Sequence, residues 1–154
     1  MTEQQKFNFQ LEIEKIKEAF NFDLVALALV HPSDGRFTSR WEYVTGNKSN
    51  RYKRIILQTG KGVAGVVLKT GKPLLMSDVK TLISEGDMFN YPIIVAEELT
   101  SFGAIPLYKY NRVKGVLLVA FRDDNVLSEE LFKDFKYAVG SNFGPYYNKE
   151  MVKH

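Results

Sequence analysis

The chain has 154 residues, 45% of them hydrophobic and 25% charged, with a net charge of +3 and no cysteine. That length suits a single domain over residues 1–154, large enough to bury roughly 68–70% of its unfolded surface. The missing thiols exclude disulfides, thiolate metal sites and cysteine nucleophiles. No apolar run approaches the ~20 residues of a membrane-spanning helix, and the polar start Met1-Thr2-Glu3-Gln4-Gln5-Lys6 lacks the apolar stretch of a signal peptide. These features predict a cytoplasmic protein with no membrane partner.

In chain order, Phe9, Ile13, Ile16 and Phe20 fall on one helical face, predicting a helix over about 5–20. Leu24 to Val30 is almost wholly apolar and ends at Pro32-Ser33-Asp34-Gly35, which predicts a buried strand closed by a turn. Ser39 to Thr45 alternates imperfectly, with Trp41, Tyr43 and Thr45 predicted on one side. Gly46-Asn47-Lys48-Ser49-Asn50 reads as a loop, and Arg54 to Gln58 as a short strand. Residues 79–100 are the least regular stretch. Strands follow at about 102–109 and 113–121, joined tightly around Asn111. Ser128 is a suitable N-cap, and Glu129 and Glu130 favour the helix dipole. The last helix is predicted over about 128–148, with Leu131, Phe135, Ala138, Val139 and Phe143 on its apolar face. The sheet and any pocket then occupy about 23–121, giving an α+β fold.

The most informative segment lies between Gln58 and Asp78. Gly60, Gly62 and Gly65 open an apolar run from Val63 to Leu68, Gly71 stops it, and Pro73 leads into Leu74-Leu75-Met76. A helix that starts after glycines leaves backbone N–H groups unpaired. Those groups, with the positive end of the helix dipole, suit a small anion. Tight turning and close packing are the other use for the same glycines.

From Gly60 to Asp78 the segment resembles the central stretch of GAF domains, the small-molecule sensor modules. Ser101-Phe102-Gly103-Ala104-Ile105-Pro106-Leu107 and Val113-Lys114-Gly115-Val116-Leu117-Leu118-Val119 resemble the two closing strands of that fold. The resemblance implies a central antiparallel sheet, terminal helices packed on one face and a ligand pocket on the other. It says little about the ligand, because one fold hosts many. Two relatives are excluded by the missing cysteines: the free-methionine-sulfoxide reductases and the bilin-carrying domains, both of which depend on a thiolate.

Little else in the sequence suggests catalysis. His31 precedes Pro32, which reads first as a capped strand end and second as a haem ligand, and His154 is terminal. Asp78, Glu85, Asp87, Glu97 and Glu98 are carboxylates with no spacing that fixes a reaction, so no enzyme activity is expected. Asn47-Lys48-Ser49-Asn50 is similar to the start of the cyclic-nucleotide GAF motif, but the downstream Phe and Asp-Glu pair are missing. Lys48, Arg51, Lys53 and Arg54 gather positive charge suited either to a solvated loop face or to an acidic partner surface. No helix-turn-helix or aromatic-interleaved basic stripe points to nucleic acid.

If the helix near Gly62 starts in a sheet-lined pocket, the N–H groups of Gly62, Val63 and Ala64 can donate to an anion. Trp41, Leu57, Tyr91, Pro92 and Ile93 lie on segments able to wall it, with plain core packing the other use for Trp41 and Tyr91. Apolar walls penalise strongly hydrated ions, so nitrate suits such a site better than sulfate or phosphate. The residues alone define only a small apolar-walled pocket for an anion or another ligand.

The run Phe89-Asn90-Tyr91-Pro92-Ile93-Ile94, the size of the chain and its single unit between terminal helices resemble the nitrate receptors of this family. That resemblance implies nitrate as ligand, with no other cofactor and no metal, held at Trp41, Leu57, Gly62, Val63, Ala64, Tyr91, Pro92 and Ile93. It also implies an oxygen-sensing histidine kinase of a two-component system as partner, in the control of nitrate respiration. The alternative is a GAF interaction module that forms homodimers through its terminal helices and binds another small ligand or none.

Overall fold

Strands Leu24–Ser33 (β1), Arg36–Thr45 (β2), Leu74–Met76 (β3), Ser101–Lys109 (β4) and Arg112–Phe121 (β5) form one antiparallel sheet in the order β2-β1-β5-β4-β3. The structure is a computed structural model that describes residues 7–33, 36–140 and 142–149. Residues 5 and 6 of the predicted first helix, the Asp34-Gly35 turn and His154 lie outside the described residues.

The three inner strands are apolar over their central stretches because both faces of the sheet are covered there. Leu24, Ala26 and Ala28 of β1 and Val116, Leu118 and Ala120 of β5 point to one core, while Val25, Leu27, Leu29, Leu117 and Val119 point to the other. Antiparallel sheets with one wet face show apolar–polar alternation, and double coverage removes it. Burying a Leu, Ile or Phe side chain fully contributes about 1.5–3 kcal/mol, so these strands anchor both layers.

The terminal helices Phe9–Phe20 (α1) and Glu129–Val139 (α5) share one face. The Asn8 and Ser128 side chains cap them by accepting from the N–H groups of Leu11 and Leu131, each at 3.0 Å. Ile13 of α1 is fully buried, with Phe9, Ile16 and Phe20 packed around it, the face the spacing predicts. On α5 the buried residues are Phe132, Phe135 and Val139, whereas Ala138 is exposed. Phe132 therefore takes the place expected for Ala138. The last helix is also shorter than the predicted 128–148. It stops at Gly140, whose φ of +60° no longer continues the helix. The chain then returns to the sheet, where Tyr147 and Tyr108 exchange backbone hydrogen bonds of 2.9 and 3.0 Å.

The opposite face carries Gly62–Thr70 (α2), Val79–Leu82 (α3) and Pro92–Glu97 (α4). The stretch expected to be irregular thus holds two short helices and a 3-10 turn at Glu85–Asn90. The predicted strand at Arg54–Gln58 does not form. A 3-10 turn spans Arg51–Arg54, and the following residues find no partner strand apart from an isolated bridge between Gln58 and Lys61. Ile56 is accordingly 69% exposed. Among the described residues no helix is long and apolar enough to cross a membrane.

Trp41 is placed by an irregularity in β2. Leu27 pairs with Tyr43 but Ala28 pairs with Trp41, which leaves Glu42 as an extra residue. Such a bulge flips the strand's facing by one position. Trp41 consequently joins the core under α2 while Tyr43 packs on the side of the terminal helices. The expectation that both share a side fails for this reason.

Candidate functional site

Residues Gln58 to Gly65 fold back tightly before α2 begins. The Lys61 N–H donates to the Gln58 carbonyl at 3.0 Å and the Gly60 N–H to the Gly65 carbonyl at 2.7 Å. Gly65 is required by contact: a Cβ there would lie 2.0 Å from the Gln58 carbonyl oxygen. Gly62 opens the helix at φ +72°, a conformation that favours glycine. No side chain caps this start, and among the described residues no loop carbonyl takes up the N–H groups of Val63 and Ala64. These are the free donors that a helix start presents.

Val63 and Ala64 are buried in one apolar cluster with Trp41 and Ile93, and Leu57 and Tyr91 pack against it from partly buried positions. Gly62 abuts the segment just before them, since a Cβ on it would sit 3.5 Å from the Asn90 carbonyl oxygen. The structure therefore brings together the glycine helix start, the bulged Trp41 and the first residues of α4. Pro92 opens α4 but is exposed, lining an outer groove with Arg51, Arg54 and Val95. Leu57 also borders a cavity of about 450 Å³ with Leu68, Arg112 and Lys114.

Within this cluster, Trp41 Nε1 is buried without a hydrogen-bond partner among the described residues. Buried indole N–H groups ordinarily find an acceptor, and each exception calls for a reason. The buried polar or charged side chains among the described residues are Glu97, Ser101 and Asn148, so no cation is buried there. The environment offers neutral donors and apolar walls, which suits a weakly hydrated anion.

The carboxylates do not converge. Asp78 precedes α3 and accepts from the Thr81 hydroxyl at 2.7 Å, whereas Glu85 and Asp87 are exposed. Glu98 pairs with Lys48 at 3.4 Å. His31 is exposed and meets Glu42 through Nε2. Among the described residues no three His, Asp or Glu side chains are placed to hold a metal.

The sequence offers Glu97 only as one of five carboxylates and does not reveal its burial. Glu97 is fully buried at the end of α4, and its Oε1 accepts from Arg122 Nη2 at 2.6 Å and from the Lys48 N–H at 2.7 Å. One available signal was its position directly after the apolar run Pro92-Ile93-Ile94-Val95-Ala96. Met88 and Tyr52, which also pack on the cluster, carried no such signal.

A five-stranded antiparallel sheet with terminal helices on one face and a glycine-led helix over an apolar cluster on the other is the architecture of a GAF sensor module. No protein-family profile matches the chain, and no curated protein matches it. Among solved structures it is similar to a hypothetical protein from S. aureus, at 39% identity and TM-score 0.75, covering 79% of this chain and 98% of that one. It is equally similar to NreA from Staphylococcus aureus mutated in its nitrate binding site, at 39% identity and TM-score 0.75, covering 79% of this chain and 88% of that one. A likeness in fold extends to the GAF domain of a phosphoenolpyruvate-protein phosphotransferase from Coxiella burnetii, at 21% identity and TM-score 0.63, covering 82% of this chain and 72% of that one. The chain belongs to the NreA family of GAF-domain proteins.

Proposed function

We propose that this chain, acting as one unit over residues 1–154, is a cytoplasmic nitrate sensor without catalytic activity. The single observation that carries the reading is the unpartnered, buried Trp41 Nε1 in the cluster that also holds the uncapped start of α2. Nitrate is planar, singly charged and weakly hydrated, so neutral donors suffice to replace its water. In this reading the N–H groups of Gly62, Val63 and Ala64 donate to it. Trp41, Leu57, Tyr91 and Ile93 surround it, and Pro92 sets the start of α4 without touching the anion. The 39% identity to an NreA with a nitrate binding site supports the choice of ligand.

The output we assign is restraint of an oxygen-sensing histidine kinase in a two-component system that controls nitrate respiration. The nitrate-free form binds the kinase and lowers its autophosphorylation, and nitrate releases it. Nitrate must then bind the free and kinase-bound forms unequally, because equal affinity shifts no equilibrium. The test is kinase autophosphorylation with this chain at rising nitrate. Restraint that nitrate relieves supports the reading, and restraint indifferent to nitrate contradicts it.

A second reading is a homodimer through the terminal helices. It is favoured by the exposed side chains of Leu11 on α1 and Tyr137 on α5, 44% and 76% accessible.

A further inference from the structure

The outer side of α4 and the 3-10 turn at Arg51–Arg54 enclose a groove of about 350 Å³. Its apolar lining includes Phe89, Pro92 and Val95, and Phe89 and Val95 are 75% and 45% exposed. Large apolar side chains exposed side by side at a concave site mark an interaction surface more often than singly scattered ones do. We infer that this groove is a docking surface for an acidic, amphipathic segment of a partner protein.

Charge identifies the occupant. Arg51, Lys53 and Arg54 fall within four residues that include no acid, and among the described residues none of the three has an ion-pair partner. The acids that end α4 are already engaged, Glu97 by Arg122 and Glu98 by Lys48. Arg51 and Arg54 therefore rim an apolar groove with their charge uncompensated, and Lys53 adds to the positive charge of the same turn. An apolar centre inside a charged rim is the usual anatomy of a protein interface. Guanidinium groups match carboxylates with paired hydrogen bonds. A nucleic acid backbone would leave Phe89 and Val95 without a use, and a lipid surface fits a convex apolar face better than a groove.

The groove is joined to the cluster beneath it. Pro92, Val95 and Ala96 face the groove, whereas Ile93 and Ile94 of the same helix belong to the cluster of Trp41, Val63 and Ala64. Ile55 touches both, lining the groove and packing on the cluster. A helix of six residues cannot shift on one side alone. An anion inside and a partner outside thus act on the same element, which gives the sensor reading a physical route from ligand to output. The inference rests on that reading for its biological meaning, but not for its test.

The test uses the full chain, isotope-labelled, titrated with a helical peptide bearing leucine at i, i+3, i+4 and i+7 and glutamate at the flanking positions. The expected result is amide shifts centred on residues 51–56 and 89–96, with smaller ones at Trp41, Val63 and Ala64 beneath α4. The binding should weaken by about tenfold or more when lysine replaces glutamate in the peptide, or in the Arg51→Glu/Arg54→Glu chain. Val95→Asp, at an exposed position, tests the apolar half with little risk to folding. Shifts centred away from the groove and the cluster beneath it, equal binding of the lysine peptide, no binding, or binding only to phosphatidylglycerol vesicles would overturn the inference. Nitrate titration of Arg51→Glu/Arg54→Glu, read by Trp41 fluorescence, separates the two claims. A response as in the unchanged chain leaves the sensor reading intact, and no response in either chain removes nitrate while the peptide result stands.

Discussion

Arg122 holds the end of α4 twice: its Nη2 donates to Glu97 Oε1 and its Nε to the Glu97 carbonyl, each at 2.6 Å. The Arg122 N–H also donates to Asp23 Oδ2 at 2.7 Å, so one residue ties the roof of the candidate site to the base of β1. The Glu97 side chain is fully buried and that of Arg122 is 11% exposed. Removing one member of a buried ion pair leaves the other charged and unsolvated. Arg122→Met should therefore cost about 3–5 kcal/mol in urea unfolding, with Arg122→Met/Glu97→Leu recovering part of it. A cost below about 1 kcal/mol for the single change would show that the pair does not hold the roof.

Gly65→Ala should destabilise by about 1–3 kcal/mol, since the new methyl cannot share space with a backbone carbonyl. The Cβ would lie 2.0 Å from the Gln58 oxygen, whereas at Gly86 nothing lies within 4 Å. Thermal unfolding of Gly65→Ala beside Gly86→Ala checks this. Equal, small shifts in both would mean the turn before α2 yields freely.

Much of this architecture is legible in the sequence because it follows from burial. Leu24 to Val30 and residues 113–121 read as strands from apolar content alone, and the helical faces of Phe9, Ile13, Ile16 and Phe20 follow from spacing. The glycine segment marks α2 and Trp41, Val63, Ala64 and Ile93 do meet in one cluster. What escapes is set by single residues or by missing partners. The bulge at Glu42 inserts one residue without changing composition, yet it sends Trp41 and Tyr43 to opposite faces. Ile55-Ile56-Leu57 has the content of a strand but no neighbouring edge to pair with. Pro92 faces outward because it occupies the first turn of α4, whose inner side is taken by Ile93 and Ile94. The burial of Glu97 depends on Arg122, 25 residues later, which local patterns cannot reveal.

Trp41→Phe should weaken nitrate binding by about 10- to 100-fold, the loss expected for one hydrogen bond to a charged group at about 1.5–3 kcal/mol. The change keeps an aromatic ring in the cluster and removes the unpartnered Nε1. Calorimetry reads the affinity, since the only tryptophan is lost. An unchanged affinity would exclude the indole N–H as a donor to the anion.

Burial, and secondarily Tyr147, raises the Tyr108 phenol above its usual value of 10.0. Its hydroxyl donates to the Gly71 carbonyl at 2.8 Å, at the end of α2. The folded state thus favours the neutral phenol, so this stability is complete below the unfolded value and is lost as pH rises through the folded one. Urea stability should be indifferent to Tyr108 between about pH 7 and 9 and fall above about pH 10, less steeply in Tyr108→Phe. Identical alkaline slopes in the two chains would assign the decline to other groups.

The central claim is that this chain binds nitrate at neutral donors between apolar walls. Calorimetric titration of the unchanged chain with sodium nitrate, against sodium sulfate at matched ionic strength, tests it most directly. The account predicts saturable binding of one nitrate per chain and no saturable heat from sulfate, whose larger desolvation cost the site cannot offset. Saturable binding of both anions alike, or of neither, would contradict it.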